Sequence, residues 1–165
     1  MTSMNEKELM EKAVSLAKEC LEEDEVPVGA VVVRNGEIVG EGRNRRERDK
    51  NALAHAEIEA INNACRTLGG WRLWKCKLYV TLEPCPMCAG AIVNARIPEV
   101  YFGARDPKAG ACGSVLDMFG LPLNHHPSWS EGLLGEEAAA LLREFFAGLR
   151  KGLRKANSRT CSEQE

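Results

Sequence analysis

Cys85 and Cys88 are separated by two residues in the stretch Thr81-Leu-Glu-Pro-Cys-Pro-Met-Cys-Ala-Gly-Ala-Ile92. That spacing lets two thiolates close on one metal ion. Upstream, His55-Ala56-Glu57 offers an imidazole and a carboxylate where a helical pattern begins. His55, Cys85 and Cys88 together make three ligands for a tetrahedral zinc and leave one position for water. Zinc lowers the pKa of a bound water from roughly 15.7 to about 7, which makes hydroxide available at neutral pH. Glu57 could take the proton released and pass it to a leaving nitrogen. Helical positions two apart do not face each other, so Glu57 is not a companion ligand to His55. The spacing works with His55 in the first turn and Glu57 directed at the water.

Taken alone, the Cys-x-x-Cys pair fits a redox pair or half of a structural zinc site. A closed structural site needs a fourth ligand, for which only His125, His126 and scattered cysteines are available. A thioredoxin-like pair gives no reason for His-x-Glu. His55-x-Glu57 followed by Pro84-Cys85-x-x-Cys88 has both halves of the zinc nucleobase-deaminase signature in order, which is a match to a known pattern and not a product of spacing alone.

The elements that must position these groups fit in one domain of 165 residues, long enough for a single sizeable core. Hydrophobic residues make up 44% and charged residues 28%, a globular balance. The net charge of −2 carries no global sign of nucleic-acid binding, so such a role must rest on local patches. Seven cysteines, an odd number, with no signal-peptide pattern at the start, favour a reducing, cytoplasmic setting over a disulfide framework. Cys20, Cys65, Cys76 and Cys112 read as small buried hydrophobes. No run approaches the roughly 18 apolar residues of a membrane span.

Apolar residues at helical spacing predict a helix over 6–23, stopped by Val26-Pro27. A strand over 28–33, a turn at Asn35-Gly36 and a return strand over 37–42 form a hairpin. Residues 43–51 are a basic loop. A helix runs from Leu53 to Leu68 and closes at Gly69-Gly70; Trp71 and Trp74 follow, buried or exposed. A strand over 77–82 leads to a helix from Pro86 to Arg96, with proline in its first turn. A buried strand over 100–104, a loop over 105–113, a short helix over 114–119 and a loop with a weak edge strand over 121–130 come next. The last helix, 136–155, points Ala139, Leu142, Phe145, Phe146, Leu149 and Leu153 inward. The domain spans 1–156, and 157–165 form a polar, disordered tail. This order predicts an α/β fold, a three-layer α-β-α sandwich whose mixed central sheet of about five strands is flanked by helices. Sites in such sheets form at strand C-terminal ends beside helix N-termini, and Leu82 to Cys85 is such a point.

The chain resembles the bacterial tRNA-specific adenosine deaminases (TadA-type) of the cytidine-deaminase-like superfamily. The resemblance rests on Glu25-Val-Pro-Val-Gly-Ala30, Gly40-Glu-Gly-x-Asn44, Ala54-His-Ala-Glu57, Leu78-Tyr-Val-Thr-Leu-Glu-Pro-Cys-x-Met-Cys-Ala-Gly-Ala91 and Phe102-Gly-Ala-Arg-Asp106. It covers roughly residues 7–150. It implies one Zn2+ per subunit on His55, Cys85 and Cys88, with Glu57 as the catalytic proton shuttle. It also implies substrate contacts by Asn44, Val28 and Ala56, with Arg105 and Asp106 in a loop against neighbouring nucleotides. The implied reaction is hydroxide attack on adenine C6, making inosine at the wobble position of a tRNA anticodon, in a homodimer. Where the family commonly has Asp-Pro-Thr before its Ala-His-Ala-Glu, this chain has Asn51-Ala52-Leu53. The change bears on the local loop and on a helix cap, which Asn51 could supply.

Arg43, Arg45, Arg46, Arg48 and Lys50 cluster beside Asn44, and Arg143, Arg150, Lys151, Arg154 and Lys155 crowd the last helix. Each cluster is equally readable as a phosphate contact or a solvated face. Two other functions share parts of the pattern: a deaminase of free guanine or a small nucleoside, and an inactive, zinc-stabilised RNA-binding subunit.

Overall fold

The structure, a computed structural model, describes residues 3–160, with side chains up to residue 152. Helix α1 (Glu6–Glu22) starts behind Asn5, whose side chain accepts the Glu8 N–H at 2.9 Å. Strands β1 (Gly29–Arg34) and β2 (Glu37–Arg43) meet at Asn35 and Gly36, both with positive φ, as a tight hairpin turn requires. Then come α2 (Ala56–Leu68), β3 (Cys76–Leu82), α3 (Pro86–Asn94), β4 (Glu99–Ala104), β5 (Ser128–Glu131) and α4 (Gly135–Thr160).

The five strands run in the order β2-β1-β3-β4-β5. The β2, β1 and β3 neighbours are antiparallel, while β3, β4 and β5 are parallel. Alternate residues feed two cores. Ala30, Val32, Leu78, Val80 and Phe102 pack with α2 and α3, and Val31, Val33 and Tyr79 pack with α1 and Leu141 of α4. The sheet is therefore buried on both faces, which explains the unbroken apolar run in β1. The expected mixed five-strand sandwich is the observed one.

Helix α2 lies close against β2. A methyl group added at Gly42 would sit 2.1 Å from the Ala56 carbonyl oxygen, and one at Gly40 would sit 2.2 Å from that of Ala60. These two glycines set the height of the α2 N-terminus, where His55 and Glu57 stand.

Several boundaries differ from expectation for local reasons. Helix α2 begins at Ala56 and not at Leu53, because Asn51 Oδ1 accepts the Leu53 N–H and the Asn51 carbonyl accepts the Ala54 N–H. Asn51 thus caps a turn ahead of the helix. Helix α3 stops before Arg96, which takes a left-handed φ of 63° while Ile97 N–H bonds back to the Ile92 carbonyl. The short helix expected over 114–119 is a turn followed by a single 3-10 turn, Met118–Gly120. Gly113 takes a φ of 113°, and the Val115 and Leu116 amides both bond back to the Gly110 carbonyl, so the segment closes as a turn.

In α4, Ala138 and Leu141 are buried and Leu142 and Phe145 half-buried, but Phe146 and Leu149, expected inward, are 42% and 45% exposed. A helix of 26 residues is about 39 Å long, whereas a six-residue strand such as β4 spans about 20 Å. The second half of α4 therefore outruns the sheet. Its backbone continues past the expected boundary at 156 to Thr160. The side chains of Leu153, Arg154 and Lys155, and all of residues 161–165, lie outside the described residues.

Candidate active site

Two helix N-termini meet at the C-terminal end of β3. Cys85 is the N-cap of α3, with Pro86 in the first helical position and Cys88 one turn on. His55 is the N-cap of α2, in extended conformation (φ −83°, ψ 154°). That break from helical geometry lets His55 and Glu57 reach one cavity, which positions two apart on a regular helix would not do. His55 Nδ1 lies 3.6 Å from Cys85 Sγ and 3.5 Å from Cys88 Sγ. The three donor atoms all fall within 4.8 Å of one another, an arrangement that could hold a metal ion.

The electrostatics suit that use. A hydrogen bond from the Cys88 thiol, opposed by burial and aided by His55, draws Cys85 down to about 4. The same bond, with burial, drives Cys88 upward, and contact with Cys85 raises His55. Both helix N-termini favour anionic ligands through their amides. Glu57 is 4% exposed, and burial first of all pushes its carboxyl up to about 7.

These groups form the floor of a cavity of about 210 Å³ walled by Val26, Val28, Asn44, Arg46, Ala56 and Asp106. Asn44 is 7% exposed. Its Nδ2 donates to the Val26 carbonyl at 3.2 Å, and its Oδ1 accepts the Arg46 N–H at 3.2 Å. An amide has two donors and two acceptor lone pairs, so one of each remains for a ligand among the described residues. The structure brings His55, Glu57, Cys85, Asn44, Val28, Ala56 and Asp106 to one cavity, with Cys88 beneath it. Arg105 lines the adjoining groove beside Asp106 rather than this cavity. It pairs with Glu131, its guanidinium over the Trp129 ring at 5.3 Å and the Phe102 ring at 5.9 Å.

The basic cluster beside Asn44 is largely neutralised. Arg43 binds Glu19 and Glu23 at 2.7 Å each, Arg48 binds Glu23 at 2.8 Å and Arg45 binds Glu59 at 3.1 Å. Arg46 alone of these reaches the cavity.

Two buried carboxylates to which the sequence pattern assigns no role hold the cavity walls. Glu25, 1% exposed, accepts the Glu47 and Arg48 amides at 3.2 and 2.6 Å and so fixes the loop carrying Asn44 and Arg46. Glu83, also 1% exposed, accepts the amides of Asp106 (3.1 Å), Cys112 (2.9 Å) and Ser114 (3.2 Å), and the Ser114 hydroxyl. Burial raises the Glu83 carboxyl, but these hydrogen bonds together hold it below its ordinary value. Both acids lie in the stretches that carry the family resemblance, but neither composition nor period distinguishes them from surface residues. Glu83→Gln puts an amide NH₂ against donors, and we expect a loss on the order of 3 kcal/mol. For a domain this size that is a Tm drop of roughly 10 °C by calorimetry; an unchanged Tm would remove Glu83 from this role.

A sheet with this strand order, carrying a His-x-Glu and a Cys-x-x-Cys on adjoining helix N-termini, defines a deaminase, and comparison with known proteins agrees. Residues 4–150 match the MafB19-like deaminase family. The tRNA-specific adenosine deaminase of Bacillus subtilis (strain 168) is 46% identical over 155 residues, covering 93% of this chain and 96% of that protein. A solved structure from work on A-to-I editing by tRNA:A34 deaminases at the wobble position superposes with a TM-score of 0.80 at 46% identity, covering 82% of this chain and 99% of that one. The guanine deaminase of Nitrosomonas europaea superposes with a TM-score of 0.75 at 27% identity, covering 89% and 87%. The chain belongs to the MafB19-like deaminases and, within them, to the family of tRNA-specific adenosine deaminases.

Proposed function

We propose that this protein hydrolyses the C6 amino group of adenosine at the wobble position of a tRNA anticodon, giving inosine and ammonia, with zinc on His55, Cys85 and Cys88. The observation that carries the chemistry is the buried Glu57 carboxyl beside a three-donor group on the floor of the cavity. Two thiols and an imidazole are a donor set suited to zinc. Zinc held by them would supply Lewis acidity that makes water acidic enough to react at neutral pH.

The chain's own residues do the rest. Glu57, poised near neutrality by burial, takes a proton from the attacking water and delivers it to the C6 nitrogen, which leaves as ammonia. Asn44 offers its free donor and acceptor to the base edge, and Val28 and Ala56 pack against the ring. At about 210 Å³ the cavity falls below the roughly 300–1,000 Å³ of drug-sized sites and suits a single base with its sugar outside. Such a base must be unstacked, as an anticodon-loop nucleotide is. Asp106 belongs both to this cavity and to an adjoining groove with Lys108, Arg143, Phe146 and Arg150, which suits flanking nucleotides.

The choice of adenosine in tRNA over free guanine rests on the closer likeness to the tRNA-specific enzymes. The reading includes a homodimer with one zinc per subunit. It also places the protein in the cytoplasm, which fits free Cys20, Cys65, Cys76, Cys85, Cys88 and Cys112, and no helix among the described residues is long and apolar enough to cross a membrane. Incubation with an anticodon stem-loop bearing a wobble adenosine, and with free adenosine, cytidine and guanine, should give inosine in the stem-loop. Turnover of a free base alone would overturn the reading.

A further inference from the structure

At the opposite pole from the cavity, between α2 and β3, the segment Trp71-Arg72-Leu73-Trp74-Lys75 shows a feature that the deaminase chemistry does not use. Trp71 is 51% exposed and Trp74 is 59% exposed, while Leu73 between them is fully buried. The backbone that displays them is anchored: Leu73 N–H bonds to the Ala95 carbonyl at 2.7 Å and Cys76 N–H to that of Leu73 at 3.0 Å. Each indole carries a cation. The Arg72 guanidinium lies 4.4 Å and that of Arg96 5.9 Å from the Trp71 ring, and Lys75 Nζ lies 4.5 Å from the Trp74 ring. No carboxylate pairs with Arg72, Lys75 or Arg96 among the described residues, in contrast to the neutralised arginines beside Asn44.

We propose that this surface is a second RNA contact, with Trp71 and Trp74 stacking unpaired bases and Arg72, Lys75 and Arg96 meeting the phosphates between them. Exposed aromatic rings interleaved with cations on a fixed loop are what single-stranded nucleic acid requires, because every base offers a π-face and every linkage a negative charge. The charge complementarity favours RNA over a second apolar protein surface, which would leave Arg72 and Lys75 without partners, whereas Arg96 also donates to the Val93 and Asn94 carbonyls. The length of β3 puts the patch roughly 20 Å from the catalytic floor, so it binds nucleotides other than the one deaminated. RNA as the occupant rests on the tRNA reading above.

The test uses the whole protein and a single-stranded oligoadenylate of roughly ten nucleotides. Intrinsic tryptophan fluorescence should be quenched on binding, and the Trp71→Ala/Trp74→Ala variant should lose that quenching, Trp129 being the remaining tryptophan. Its Kd should rise at least about fivefold per indole removed. Arg72→Gln/Lys75→Gln should keep both indoles yet reduce the salt slope by roughly 0.7 for each phosphate no longer neutralised. Unchanged Kd and salt slope in both variants would overturn the proposal. So would a tryptophan variant that binds RNA normally but sediments as a smaller species, which would make the patch an interface between copies. Turnover of a minimal anticodon stem-loop is measured alongside. If that fails while oligoadenylate still quenches, the substrate reading falls and this surface stands; the reverse outcome separates them the other way.

Discussion

Glu57→Gln should lower deamination by at least about a thousandfold, within the range attributed to a positioned proton-transfer group, while metal content stays at the wild-type level. Glutamine preserves the shape of a side chain that is 4% exposed, so the fold should tolerate it. What it lacks is the ability to take a proton from water and return it to a leaving nitrogen. Metal analysis and single-turnover measurement on the stem-loop check both halves, and retained turnover would refute the role. The same variant has a signature in the metal-free protein. Burial raises the Glu57 carboxyl to about 7 from its ordinary 4.5, so its contribution to stability is fully present below 4.5 and is lost as pH rises through 7. Metal-free Glu57→Gln should therefore show a shallower fall in Tm between those pH values than the metal-free parent. An inactive, RNA-binding subunit would show no loss of activity, having none.

Cys88→Ser should lose metal and stability together. Cys88 is fully buried one turn into α3, with His55 Nδ1 at 3.5 Å. A hydroxyl there is a much poorer zinc ligand than a thiolate, and two remaining ligands hold the ion weakly. Metal binding and local folding are coupled, so we expect several kcal/mol of stability to go with the ion, a Tm lower by about 10 °C or more. The wild type should lose comparable stability to a chelator, and the variant should not respond to one. A soluble, metal-free Cys88→Ser protein with wild-type turnover would overturn the site.

Much of this arrangement was legible in the sequence. The unbroken apolar run of β1 marked a strand buried on both faces, and Asn35-Gly36 marked the hairpin. Pro86 marked the start of α3 and thereby placed Cys85 and Cys88 one turn apart at a helix N-terminus. These signals are local: each depends on backbone preferences within a few residues. The boundaries that moved were set from outside. Ser114 sits in a loop held by Glu83, distant in sequence, which accepts its amide and hydroxyl. The outer half of α4 lost its expected burial because nothing in its own pattern records where the sheet ends.

The sequence by itself determined the kind of chemistry, because His-x-Glu followed by Pro-Cys-x-x-Cys matches the known signature of zinc nucleobase deaminases. It also determined the layered α/β fold, through hydrophobic period together with turn and helix-end signals. Only the tertiary structure decided which charged residues serve the site. Arg43, Arg45 and Arg48 look like phosphate contacts in a linear reading but face acids of α1, its C-cap and α2, and Arg105 pairs with Glu131 at the adjoining groove. Conversely, Glu25 and Glu83 look like surface acids but sit buried, holding two walls of the cavity by their hydrogen bonds. A charge acts through the partners that folding places within a few ångströms of it, and those partners lie 14 to 31 positions away in the chain.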